Sequence, residues 1–195
     1  MRSAIRKEVS SIQPLDRLER AHLVDALAWI DSGAELCRVR KPATPPKHLV
    51  SYFVLVDDDH LLLVDHRNAQ LWLPSGGHVE PGEHPRTTVA RELREELGLE
   101  LASDPAEPLM LTSTETVGTA AGHTDVSLWY VIDADRGVSL VFDTEEFHCV
   151  RWFHFTEAPV SRSDPHLARF LGKLALTGRS TRPRAKTRAA SQRRR

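Results

Sequence analysis

Read from the N-terminus, apolar residues first recur at helical spacing over residues 14–34, where Leu15, Leu18, His22, Ala26, Trp29 and Ile30 fall along one stripe. Pro14 suits a first turn and Gly33 a stop, so the segment predicts an amphipathic helix. Residues 38–47 break the pattern: Pro42, Pro45 and Pro46 remove backbone donors and keep their predecessors out of the helical region, which predicts an extended linker. Continuous apolar runs follow. Residues 49–56 stop at Asp57-Asp58-Asp59 and resume at 61–65, predicting two strands joined by an acidic turn. Residues 71–74 read as a short strand entering the turn Ser75-Gly76-Gly77, and Pro81-Gly82 marks another turn. Val89, Leu93 and Leu97 at i, i+4 and i+8, stopped by Gly98, predict a helix over residues 86–97. Strands are expected at 109–116, 125–132 and 149–155, and a final helix at 165–176.

The helix over 14–34 must bury its Trp29 face, against either the following domain or a second copy of the chain, so a homodimer enters as an expectation. Length changes little, since 195 residues suit one domain with extensions. Charge changes more. The net charge of −1 conceals a tail, residues 178–195, that holds eight basic side chains and no acid, leaving 18 basic and 27 acidic residues before it. The division expected is an N-terminal helix and Pro-rich linker (1–47), a catalytic domain (48–177) and a disordered basic tail (178–195) with weak attraction to nucleic acid. No apolar stretch approaches the roughly 20 residues of a membrane span, and the opening lacks a secretory pattern. Cys37 and Cys149 stand far apart in no metal-binding spacing. A cytoplasmic protein without membrane contact is the expectation.

The chemistry concentrates in residues 77–99, GHVEPGEHPRTTVARELREELGL. Glu92, Glu95 and Glu96 at i, i+3 and i+4 must project from one side of the helix whose other side carries Val89, Leu93 and Leu97. Like charges so spaced repel, and hard oxygen donors suit Mg2+, with Mn2+ as the alternative. No phosphate-cradling P-loop is present, and no serine or cysteine elbow.

The intervals between Gly77, Glu83, Arg91, Glu92, Leu93, Glu95, Glu96, Gly98 and Leu99 resemble the Nudix box at every position. That resemblance extends loosely over residues 48–155 and leaves the N-terminal helix and the tail outside it. It implies an α/β/α sandwich with a mixed curved sheet and metal-dependent cleavage of a phosphate–phosphate bond in a nucleotide. The metal ligands it implies are Glu95, Glu96 and the backbone carbonyl of Gly76. Glu92 is either a ligand or the general base. Glu83 and Arg91 are implied to link loop and helix in support, with Gly77 and Gly98 shaping the turns. A further acid is expected upstream of Trp152, where Glu146 is the candidate ligand and Glu145 its neighbour. A nucleoside triphosphate, an oxidised one included, leads as substrate, with ADP-ribose or a nucleotide sugar as alternative and a binding module using the basic tail as a different class. Tyr52, Phe53, Trp72 and Trp129 read as core aromatics with base stacking as the alternative, and residues 118–130 as a hairpin or a substrate-facing loop. His78, His84 and His123 show no metal-binding spacing and are assigned no metal.

Overall fold

The computed structural model describes residues 1–40, 44–116, 122–177 and 185–189. Two helices open the chain, α1 (Arg2–Ser11) and α2 (Arg17–Asp31). The sheet follows with β1 (Lys47–Asp57), β2 (His60–His66), β3 (Leu71–Leu73) and β4 (Ser75–His78). Helix α3 (Pro85–Leu97) leads into β5 (Leu99–Leu101), β6 (Met110–Glu115), β7 (Thr124–Asp133) and β8 (Phe147–His154). Helix α4 (Leu167–Leu176) and strand β9 (Ala185–Ala189) complete it.

Strand β1 is the axis of the sheet. It pairs parallel with β7 from Lys47↔Thr124 to Val56↔Asp133, and antiparallel with β2 and β4. Beyond these, β6 borders β7, β8 borders β2, and the sheet is mixed and open. Side chains alternate across β1 and β7. Leu49, Phe53, Leu55, Val126, Leu128, Tyr130 and Ile132 face a core shared with Val89, Leu93 and Leu97 of α3. Val54, Val56 and Trp129 face the other way, against Leu167, Phe170 and Leu174 of α4. Helices on both faces of the sheet make an α/β/α sandwich. No helix among the described residues is long and apolar enough to cross a membrane.

The N-terminal helices differ from their expectation in two ways. A separate helix, α1, precedes the one read at 14–34, and α2 is shorter, capped by the Asp16 carboxylate accepting from Glu19 N. Its buried stripe is Glu19, Leu23, Ala26 and Ile30, while Leu18 is 47 % exposed. Ala26 and Ile30 of the expected stripe do point inward and Trp29 packs beside them, whereas Leu18 does not, because the inward position there is taken by an acid, Glu19. Glu19 is buried against the Lys173 ammonium of α4, which makes an ionised side chain tolerable there. The choice between docking partners is also settled: Ile5, Val9, Leu23, Ala26 and Ile30 join the same core as α3, so these helices dock on their own chain. Leu111 N and Ser113 N, on the outer edge of β6, donate to Glu19 Oε1 and His22 Nδ1, so α2 covers that edge.

The tail requires a correction. Residues 185–189 form β9, antiparallel to β5 through Leu99↔Ala189 and parallel to β7 through Ile132↔Ala185. An unpaired edge beside β5 offers backbone partners that a polar segment fills without large apolar side chains. The remainder of the tail lies outside the described residues, as do residues 41–43 and 117–121, the latter holding the start of the segment expected to be a hairpin or a substrate-facing loop.

Candidate active site at the β4–α3 junction

Two glycines set the junction. Gly76 lies at φ +151, and a Cβ there would sit 2.1 Å from Ser51 O of β1, so only glycine lets β4 pair this closely. Gly77 has no such backbone demand; a Cβ there would instead lie 1.8 Å from Glu92 Oε1. The missing side chain is the space that the Glu92 carboxylate fills. Helix α3 starts with Pro85 in its first turn and ends at Gly98, left-handed at φ 64, whose N–H returns to Arg94 O. Val89, Leu93 and Leu97 are fully buried, which fixes the rotation of α3 and hence the direction of its glutamates.

Arg91 is the hub of the junction. Its guanidinium donates to both oxygens of Glu83, to His78 O, to Glu92 Oε1 at 2.7 Å and to Glu95 Oε2 at 3.3 Å. Glu83 also accepts from Thr88 Oγ1, so although burial opposes its charge, Arg91 and Thr88 hold its carboxyl below the usual range. The hydrogen bonds to Glu83, with the charge of Glu92 beside it, hold Arg91 firmly as a cation although burial opposes its charge.

The three box glutamates occupy different environments. Glu95 has a side chain 56 % exposed. Glu92 is mostly covered, and burial, opposed by Arg91, pushes its carboxyl upward, with Glu95 and Glu146 adding to the push. Glu96 is 4 % exposed, and its Oε2 accepts from Gly76 N at 3.1 Å. Burial, then Glu92 and Glu146, push it well above the ordinary carboxyl range. Glu146 arrives from the loop before β8. That loop is tied to the end of α3 by Asp143 N donating to Glu96 O, and to β2 by Arg67 N donating to Glu146 O. The field of Glu146 therefore acts on both Glu92 and Glu96.

Glu92 and Glu96 are thus covered carboxylates, Glu146 stands beside them with 43 % of its side chain exposed, and the three repel one another. Only protons or a cation relieve such a group, and an all-oxygen donor set fits a hard divalent ion such as Mg2+ or Mn2+. Among the aromatics, Phe53 and Trp129 belong to the core, with Trp129 stacked on Phe170 and donating to Thr112 Oγ1. Tyr52 and Trp72 pack partly covered against the α4 side.

Sequence reasoning missed a histidine group on that α4 side. His48, His78, His123 and Asp125 bring their ligand atoms within 4.8 Å of one another. The spacing His123-Thr124-Asp125 on a strand was the available signal, since i and i+2 share a face. The pairing of β1, β4 and β7 that adds His48 and His78 is not readable from spacing.

A glycine turn feeding a carboxylate-bearing helix on the face of a mixed sheet, braced by an Arg–Glu pair, defines a Nudix-type domain. The NUDIX domain model matches residues 46–174, and the chain belongs to the Nudix family. It is 34 % identical over 108 residues to an NAD-capped RNA hydrolase, NudC, of Stutzerimonas stutzeri (strain A1501), covering 55 % of this chain and 36 % of that one. It is 32 % identical over 87 residues to a nucleoside triphosphatase, NudI, of Enterobacter sp. (strain 638), covering 42 % of this chain and 60 % of that one. The chain thus spans about a third of the first relative and under two thirds of the second. Among solved structures, the E. coli ORF135 protein matches with a TM-score of 0.55 at 27 % identity, over 72 % of this chain and 96 % of that one.

Proposed function

We propose that this protein is a metal-dependent pyrophosphohydrolase that cleaves a diphosphate bond in a nucleotide derivative. The observation that carries the reading is the seating of Glu92 against Gly77 and of Glu96 on Gly76 N in a Nudix domain. Glu92, Glu95, Glu96, Glu146 and the Gly76 carbonyl would hold Mg2+ or Mn2+. When bound, that ion supplies the positive charge that neutralises phosphate oxygens and eases ionisation of water.

The chain's own residues do the rest. Arg91 orients Glu92 and Glu95 while Glu83 and His78 O hold Arg91 in place. Glu92, covered and raised, is placed to accept a proton from an attacking water or to serve as a ligand. Glu96 is bound at one oxygen by Gly76 N, which fixes its carboxylate against β4.

A nucleoside triphosphate, cleaved to monophosphate and pyrophosphate, is the substrate class favoured here, and the likeness to NudI supports it. ADP-ribose or a nucleotide sugar is the alternative, and the likeness to NudC, with its NAD-capped RNA, keeps nucleotide conjugates in view. The basic residues 178–195 would add a salt-sensitive contact with nucleic acid, and pairing with a second copy would use a surface other than the docked face of α2.

The test is a panel of nucleoside triphosphates, ADP-ribose, nucleotide sugars, dinucleoside polyphosphates and capped RNA, offered to the full chain with Mg2+ or Mn2+. Turnover of at least one compound, abolished by a chelator, is expected. Glu95→Gln and Glu96→Gln should lose about two orders of magnitude or more in kcat while remaining folded. Metal-independent turnover, or near-normal turnover in both variants at saturating metal, overturns the reading.

A further inference from the structure

The register of three strands assembles the histidine group. His48 of β1 stands opposite Asp125 of β7, and His78 of β4 stands opposite Val50, one alternation along β1 from His48. His123 precedes Asp125 by two residues. His48 is 0 % exposed and His123 6 %. Their rings stack with centroids 4.9 Å apart, and the His78 ring lies 4.8 Å from that of His48.

The hydrogen bonds on the far sides of two rings determine what points inward. His48 Nδ1 faces Pro45 O at 2.8 Å, and a carbonyl only accepts, so that nitrogen carries the proton. His123 Nδ1 lies 3.0 Å from Thr116 Oγ1, whose own proton goes to His123 O, so this nitrogen also donates. In the neutral rings both Nε2 lone pairs therefore point inward, toward a carboxylate oxygen. His48 Nε2, His123 Nε2 and His78 Nε2 lie 3.2, 3.4 and 3.7 Å from the same atom, Asp125 Oδ1. Neither His48 Nε2 nor Asp125 Oδ1 has a hydrogen-bond partner among the described residues, although both are buried. Two buried acceptors facing each other with no donor aimed at either call for a cation between them.

We infer that His48, His78, His123 and Asp125 form a second divalent-cation site of zinc type, distinct from the glutamates of α3. Three imidazoles and one carboxylate are the donor set of a borderline ion such as Zn2+ rather than of Mg2+. A tetrahedral site with metal–ligand bonds of about 2.0–2.1 Å has edges of about 3.3 Å, close to the three separations from Asp125 Oδ1. Pro45 O and Thr116 Oγ1 are the outer partners that fix ring orientation in such sites. Arg38 donates to His78 Nε2 at 3.3 Å, so binding opens that hydrogen bond and leaves Arg38 in the field of Asp125 and Glu92. The ion would staple β1, β4 and β7 together and steady His78, whose carbonyl receives Arg91.

The experiment uses the full chain, freed of any affinity tag and stripped by chelation, titrated with Zn2+ while bound metal and Tm are measured. One equivalent should bind and raise Tm. Glu95→Gln should bind zinc as the unmodified chain does, and His123→Gln and Asp125→Asn should weaken binding at least tenfold. Zinc binding that survives both ligand variants, or that Glu95→Gln removes, overturns the inference, as does the lack of binding below millimolar Zn2+, the result expected if a proton bridges the rings. Should the variants misfold, the visible spectrum of the Co2+-loaded unmodified chain decides: intense tetrahedral bands support the site, and weak octahedral bands overturn it. The readout is metal content, so it stands or falls separately from hydrolysis.

Discussion

Replacing Gly77 by alanine separates catalysis from folding. The new Cβ would lie 1.8 Å from Glu92 Oε1, 2.4 Å from its Cδ and 3.0 Å from its Cγ. The carboxylate must retreat by about 1.5 Å or more to reach an ordinary contact distance. Helix α3 does not yield, because Val89, Leu93 and Leu97 lock it into the core. The side chain must therefore leave its rotamer and its 2.7 Å hydrogen bond from Arg91. An off-rotamer side chain costs about 0.5–1.5 kcal/mol, a modest fall in Tm. Displacing a reacting or ligating group by 1 Å costs about a hundredfold in rate, or roughly 2.7 kcal/mol of barrier. The assay is kcat and Tm of Gly77→Ala at saturating Mg2+ on the best substrate of the panel. Gly76→Ala is the contrast: its Cβ meets Ser51 O at 2.1 Å and Tyr52 Cα at 2.9 Å, both backbone, at φ +151. That variant should lose stability first, with β4 forced off β1. A Gly77→Ala protein within threefold of normal kcat would refute the claim that Glu92 needs its present position.

Asp164 carries a pH prediction, since burial pushes its carboxyl up to about 6 from 3.8. A raised carboxyl favours the fold below pH 3.8 and loses that contribution as pH rises through about 6, a difference of up to about 3 kcal/mol. Asp164→Asn should therefore raise Tm at pH 8 and leave it unchanged at pH 4; equal effects at both would contradict the argument. Lys173→Met strands the buried Glu19 carboxylate and should cost about 3–5 kcal/mol in urea unfolding, part of it recovered by adding Glu19→Gln, which removes the charge and keeps an acceptor for Leu111 N. A loss below 1 kcal/mol would mean that the pair contributes little. Deleting residues 178–195 should lower Tm by removing β9 from β5 and β7, whereas deleting 190–195 should not; identical Tm values for the two truncations would count against β9.

The parts of the fold that follow a simple period were legible. Val89, Leu93 and Leu97 announced α3, apolar runs announced β1 and β2, and Gly98 announced the helix end, because each signal is local. The glutamate face was legible for the same reason, since residues 92, 95 and 96 share one helix. Glu19 and Glu8 were not, because each is buried by a distant cation, Lys173 and Arg86. Strand β9 escaped because backbone pairing sets it, and the histidine group because three strands build it. What depends on register is silent in a pattern of hydrophobicity.

The lock between α2 and α4 has a consequence for the order in which the chain can mature. Lys173 meets Glu19, and Arg169 meets Asp16, across 154 and 153 residues respectively. On a ribosome α2 is complete long before α4 exists, so the Glu19 carboxylate stays hydrated while β6 emerges. The acceptor that Glu19 offers to the β6 edge therefore gains its Lys173 partner only when the last helix is made. The final helix thus closes the assembly as much as it fills the second core.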